Sequence, residues 1–152
     1  MPNSALDAFD LALLDRVRRN NLTPARILAE QVGLSESAVL RRLRQMRATG
    51  VIAADVSVVR PASLGRPLTA IVLVNMVREG LAQIEAFKAR LRERPQVVNS
   101  WYVTGAVDFV LVLNLVDLAE YEAFSREVFL SDPNIGKFET LLSLRELIPG
   151  AG

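Results

Sequence analysis

The stretch Leu28–Gly50, LAEQVGLSESAVLRRLRQMRATG, decides how the chain is read. Gly33 is placed to stop one helix through a left-handed residue, and Leu34 fills the turn. Ser35 is placed to cap a second helix that runs to Thr49, with Gly50 as its terminator. Ala29 is small and sits on the inner face near the crossing, so the two helices can approach closely, as in a helix-turn-helix. In the second helix Val39, Leu43 and Met46 recur at i, i+4 and i+7 and predict its buried side. The other faces carry Ser37, Arg41, Arg42, Arg44, Gln45 and Arg47. Leu40 reads equally as core edge or groove contact. Arginines this closely spaced repel one another on an isolated helix, and a polyanion removes that repulsion. The stretch therefore implies double-stranded DNA as a partner.

Working towards the N-terminus, Thr23 and Pro24 predict the start of the first of these two helices, with Thr23 as cap and Pro24 at the first helical position. Ile27, Leu28 and Val32 are expected to face inward. An earlier helix opens at Asp7, with Asp10 three residues on, carries Phe9, Leu13, Leu14 and Val17 as its stripe, and ends at Asn20-Asn21.

Charge supports the same reading. The 152-residue chain has a formal net charge of +1, but residues 1–60 carry 9 Arg against 6 Asp/Glu, and residues 61–152 carry 9 Lys/Arg against 11 Asp/Glu. Between Arg16 and Arg47 there are 8 Arg against only Glu30 and Glu36. Every basic residue in the first 60 is arginine, whose planar fork suits phosphate oxygens and guanine edges. Cysteine and histidine are absent, which excludes disulfide scaffolds, thiolate zinc sites, cysteine nucleophiles and the commonest general base and metal ligand. No cofactor and no metal site is expected, and the chain is not expected to be an enzyme. The residues after Met1 lack a secretory pattern, and the apolar stretches Leu68–Val77 and Phe109–Val116 are too short to span a bilayer. No membrane association is expected, and a cytoplasmic location is the expectation.

Towards the C-terminus, Val51–Val59 reads as a strand, and Pro61, Gly65 and Pro67 place a hinge near residues 60–67. Leu68–Val77 predicts a strand. Leu81–Arg94 predicts an amphipathic helix, with Ile84, Phe87 and Leu91 inward and Pro95 as its stop. Val97–Val103 and Val107–Val116 predict two strands joined through Thr104-Gly105-Ala106. Asp117 caps a helix with Glu120 three residues on and a stripe of Leu118, Tyr121, Phe124 and Val128; Lys137–Ile148 reads as a last strand. The fold class is α+β: a winged-type helix-turn-helix followed by a ferredoxin-like βαββαβ domain. The expected division is 1–50 for the helix-turn-helix, 51–67 for the linker strand and hinge, and 68–152 for the ferredoxin-like domain.

Two strands of that domain are apolar on both faces. Val107, Phe109, Leu111 and Leu113 alternate with Asp108, Val110 and Val112, and Ile71 and Leu73 alternate with Val72 and Val74. One face takes the helices; the other needs a second cover, most simply the same sheet of another subunit. A homodimer is expected, which would also present paired recognition helices to successive major grooves.

This organisation resembles the Lrp/AsnC (feast/famine) family of prokaryotic regulators over nearly the whole chain. The residues that carry the resemblance are Leu6-Asp7, Asp10, Leu14, Leu28-Ala29, Val32-Gly33-Leu34-Ser35, Val39-Leu40, Arg42, Arg44 and Gly50-Val51-Ile52, then Val103-Thr104-Gly105 with Asp108, and Thr140. The resemblance implies transcriptional regulation, dimers that assemble into tetramers or octamers, and an amino acid or related small molecule as effector. It places effector contacts at Tyr102, Thr104, Gly105, Ala106, Val107, Asp108 and Thr140. From the recognition helix itself, Ser37, Arg41, Arg42 and Arg44 are expected to reach base edges or nearby phosphates, Ser35 a phosphate at the helix start, and Arg47 phosphate or solvent. A glycine turn offers N–H groups to a carboxylate and Asp108 can meet an ammonium, while Gly105 and Asp108 read equally as turn-forming residues. Two other readings stay open. Relatives of the siroheme decarboxylase type use this shape for chemistry on a tetrapyrrole, an activity associated with histidine. An assembly or effector-binding module could also have lost DNA binding.

Overall fold

A computed structural model describes residues 5–147, and the chain forms two compact units divided between Val58 and Val59. The first unit is three helices: α1 (Ala8–Arg19), α2 (Ala25–Val32) and α3 (Glu36–Ala48). Asp7 and Asp10 form a reciprocal capping box at the start of α1: the Asp10 N–H donates to Asp7 Oδ1 at 2.9 Å and the Asp7 N–H to Asp10 Oδ2 at 3.1 Å. Helix α2 ends at Gly33, whose φ of 75° is the left-handed stop that a side chain would strain. Ser35 Oγ accepts the Ala38 N–H and caps α3. Leu13, Leu28, Ala29, Val39, Leu43 and Met46 meet as a small core, with Leu14, Val17, Val32 and Ile52 against it.

Three expectations change here. Pro24 is the cap residue of α2, not its first helical residue, and Thr23 does not cap it: its hydroxyl donates back to the Asn20 carbonyl at 2.9 Å. Phe9 is exposed, and Leu13 is the fully buried member of the α1 stripe. The strand expected over Val51–Val59 does not form. A strand needs a ladder partner, and among the described residues none lies alongside; Val56 and Val58 are 70% and 69% exposed. The helix-turn-helix therefore carries no wing among the described residues.

The second unit is a four-stranded antiparallel sheet with two helices. Strands β1 (Leu68–Met76), β2 (Val97–Tyr102), β3 (Phe109–Leu115) and β4 (Ile135–Leu142) stand in the order β2-β3-β1-β4. Helices α4 (Leu81–Arg92) and α5 (Leu118–Ser125) make the two crossovers of a ferredoxin-like βαββαβ arrangement. Ala70, Val72, Val74, Phe109, Leu111, Leu113 and Leu115 form one face, all 2% exposed or less, against Phe87 and Leu91 of α4 and Phe124, Val128 and Phe129. Helix α5 runs into a π-helical turn, Arg126–Leu130, whose wider step buries Val128 and Phe129 side by side, while Leu118 of the expected stripe is 58% exposed. Asp117 caps α5, and Glu120 gathers the Val116 N–H, Gln96 and Arg66. The Val116 N–H first, and then Gln96 and Arg66, hold the Glu120 carboxyl below its ordinary range.

The opposite face follows from the register. Ile71 pairs with Val112 and Leu141, Leu73 with Val110, and Val110 with Trp101. Trp101 and Leu141 are each 47% exposed. The centre of this face is apolar, as its two-sided pattern predicts, and among the described residues of this unit no second layer covers it. The last strand is shorter than expected. The ladder with β1 ends at Ala70–Leu142, with one further bond from the Ser143 N–H to the Thr69 carbonyl at 2.9 Å; residues 143–147 are not strand, and Ile148 lies outside the described residues.

Leu13 and Leu111 are both fully buried, one in each core. Truncating either to alanine is expected to cost about 2–5 kcal/mol. The sole tryptophan, Trp101, lies in the second unit, so Leu111→Ala is expected to move the urea transition read by its fluorescence. Leu13→Ala is expected to move the transition read by far-UV circular dichroism and leave the tryptophan signal in place.

Candidate nucleic-acid interface and ligand pocket

Helix α3 advances about 100° per residue, so Ser37, Arg41 and Arg44 lie opposite the buried line of Val39, Leu43 and Met46. Ser35, Ser37, Arg41 and Arg44 are exposed, and the hydroxyls of Ser35 and Ser37 are 3.2 Å apart at the N-terminal end of the helix. Among the described residues neither Arg41 nor Arg44 has an acidic partner within ion-pair distance. Leu40, 38% exposed, and Gln45 flank this face.

The other two arginines of α3 are engaged. Arg42 Nη1 donates to Asp10 Oδ1 at 2.7 Å and Asp7 Oδ2 at 2.8 Å, and its guanidinium stands 5.6 Å from the Phe9 ring centre. Its side chain is 21% exposed and lies against the start of α1 rather than on the open face. Arg42, expected at base edges or nearby phosphates, is instead held here by two carboxylates 35 and 32 positions away in sequence, which the fold brings to it. Arg47 makes a two-point contact with Asp55, Nε to Oδ2 at 2.7 Å and Nη2 to Oδ1 at 3.0 Å. The Asp10 N–H and then Arg42 hold the Asp7 carboxyl below its usual range. Arg47 does the same to Asp55, and the hydrogen bonds that Arg42 donates to Asp10 and Asp7 raise Arg42.

The second cluster lies at the loop between β2 and β3. Tyr102, Val103, Thr104, Gly105 and Asp108 line an open pocket of about 370 Å³ together with Glu79, which comes from the stretch before α4 and carried no signal in sequence. Loop residues 103–108 are longer than the Thr104-Gly105-Ala106 turn expected, and the loop is closed by a Val103 N–H to Asp108 carbonyl bond of 2.8 Å. Gly105 has a φ of 136°, which a side chain rarely adopts. Asp108 Oδ2 accepts the Met76 N–H at 2.6 Å, and Asn75 Nδ2 donates to the Ala106 carbonyl at 2.9 Å, so the loop is tied to the end of β1. Tyr102 packs on Phe109 with ring centres 5.1 Å apart. Ala106 and Val107 do not line the pocket. Neither does Thr140: it shares the helix-covered face with Val72, and its hydroxyl is hydrogen-bonded to Tyr121.

A helix-turn-helix with two unpaired arginines on its outer face, in one chain with a ferredoxin-like domain whose hairpin loop borders a pocket, defines a DNA-binding regulator with a ligand domain. Residues 6–47 match the AsnC-type helix-turn-helix domain and residues 69–152 the Lrp/AsnC ligand binding domain. The chain belongs to the Lrp/AsnC family of transcriptional regulators. It is 43% identical over 137 residues to an uncharacterized HTH-type transcriptional regulator of Sinorhizobium fredii, covering 90% of this chain and 81% of that protein. It is 31% identical to the leucine-responsive regulatory protein of Rhizobium meliloti, covering 93% and 91%. A Neisseria meningitidis transcriptional regulator solved as a complex with L-Met is 27% identical and superposes with a TM-score of 0.85, covering 94% of this chain and 92% of that one. Among the described residues no helix is long and apolar enough to cross a membrane.

The Asp7–Arg42 contact carries a sign that pH can read. A carboxyl whose folded value is depressed adds stability above its unfolded value, and that addition is lost as pH falls through the folded value. Thermal melts of the wild type and Arg42→Ala followed by circular dichroism are therefore expected to show the variant melting a few degrees lower at neutral pH, with the gap closing below about pH 4.

Proposed function

We propose that this protein binds double-stranded DNA through Ser37, Arg41 and Arg44 of α3, with Ser35 at the helix start beside a phosphate, and that an amino acid in the pocket at the β2–β3 loop modulates that binding. The observation that carries the reading is the pair Arg41 and Arg44, exposed opposite the core and without acidic partners among the described residues. Two unbalanced guanidinium groups a helical turn apart suit phosphate oxygens and guanine edges. Arg47 stands beside this face in its pair with Asp55 and would reach phosphate by exchanging that carboxylate for it. Regulation is favoured over catalysis because the relatives are named as transcriptional regulators.

The amino-acid reading rests on the pocket and on the L-Met complex of the Neisseria relative. Main-chain N–H groups of the loop would take the carboxylate. Glu79 and Asp108 are the acidic groups beside the pocket that would face the ammonium. The open sheet face, with Ile71, Leu73, Trp101, Val110, Val112 and Leu141, supports a homodimer in which two sheets cover each other. Assembly into tetramers or octamers would use other surfaces.

In gel shifts at rising salt the wild type is expected to lose affinity steeply, by about 0.9 in the log–log slope for each neutralised phosphate. Arg41→Ala and Arg44→Ala are each expected to lower affinity for a selected duplex by about 1–3 kcal/mol. Unchanged affinity in both would overturn the assignment. Thermal-shift screening is expected to find an L-amino acid, L-Met among the first tried, that raises the melting temperature. Gly105→Val, which strains the loop, is expected to abolish that rise.

A further inference from the structure

We infer that Arg42 is a positioning residue for DNA recognition: it fixes α3 on the capping box of α1 so that its neighbours Arg41 and Arg44 meet the duplex in register. The inference rests on the DNA-binding reading above. One nitrogen, Nη1, bridges two carboxylates that already cap α1, 2.7 and 2.8 Å away. The same two aspartates therefore hold the start of one helix and the middle of another. Phe9 stands over the guanidinium, and Nε is buried without a hydrogen-bond partner, so the side chain is held by its surroundings on several sides.

On the helical wheel Arg42 lies on the flank of α3 that faces α1, about 100° from Arg41. A pin at that point sets the rotation of α3 about its own axis. Long side chains amplify rotation: a few degrees at the backbone displaces a guanidinium by a large fraction of an ångström, and productive contacts tolerate about 0.5 Å. Arg42 therefore acts on specificity without touching DNA.

The test uses the full-length protein, duplexes selected by the wild type from a random pool, and a scrambled duplex as reference. Arg42→Ala and the double variant Asp7→Asn with Asp10→Asn are compared at a temperature where circular dichroism shows both fully folded. Asparagine still caps α1 but cannot pair with Arg42 as an ion. Both variants are expected to lose about tenfold or more in affinity for the selected duplex. Affinity for the scrambled duplex and the salt slope should stay as in the wild type. Arg42→Lys is expected to recover most of the loss, because a single ammonium can also bridge two carboxylates.

If Arg42 instead contacts DNA, Arg42→Ala will lower the salt slope by about 1, and freeing Arg42 with the asparagines will leave affinity equal or higher. If the pair serves only the stability of the fold, the ratio of selected to scrambled affinity will not move. Either result overturns the inference while leaving the DNA-binding reading intact. A wild type that selects no duplex at all overturns both.

Discussion

Four guanidinium groups stand on α3 between Arg41 and Arg47, and the arrangement of the first unit follows from where their charge is balanced. Arg42 and Arg47 sit on opposite flanks of the helix, and each meets carboxylates from elsewhere in the unit: Asp7 and Asp10 at the start of α1, and Asp55 in the segment after α3. Arg41 and Arg44 stand between them, away from the core, with no such partner. Repulsion along the helix is relieved at its edges and left in its centre. Among the described residues the unpaired charge of α3 therefore lies on one exposed face of the helix. The hydrophobic contacts of Val39, Leu43 and Met46 hold the opposite side, so that face cannot turn inward.

In the second unit the governing fact is that β1 and β3, the two central strands, have apolar side chains on both faces. The helices α4 and α5 cover one layer completely. The other layer keeps Ile71, Leu73, Val110 and Val112 only half-shielded by their neighbours. A sheet of four strands with a single cover leaves that work unfinished within one chain.

Much of this was legible in the sequence because it is local. The caps Asp7, Ser35 and Asp117, the left-handed Gly33, the stripe on α3 and the alternation of β1 and β3 are set by neighbours within a few positions. What could not be read has the opposite character. The clamp on Arg42 joins residues 32 and 35 positions apart, and a sequence shows only that an arginine and two aspartates exist. Val51–Val59 has strand composition but no partner, and composition says nothing of partners. The face on which Thr140 stands is set by its register opposite Val72, a long-range fact. Glu79 stands beside the pocket because β1 ends next to the β2–β3 loop, a matter of topology alone.

The loop between β2 and β3 divides its labour in a way that bears on how such proteins diverge. Its shape is kept by main-chain bonds, by Gly105 and by two side chains, Asn75 and Asp108, that tie it to β1. Thr104, Ala106 and Val107 supply no side-chain hydrogen bond to that framework. Mutational drift at these three positions can alter what the loop meets while its contour persists. A lineage could thus acquire a new chemical preference by single steps, each starting from a domain that still folds.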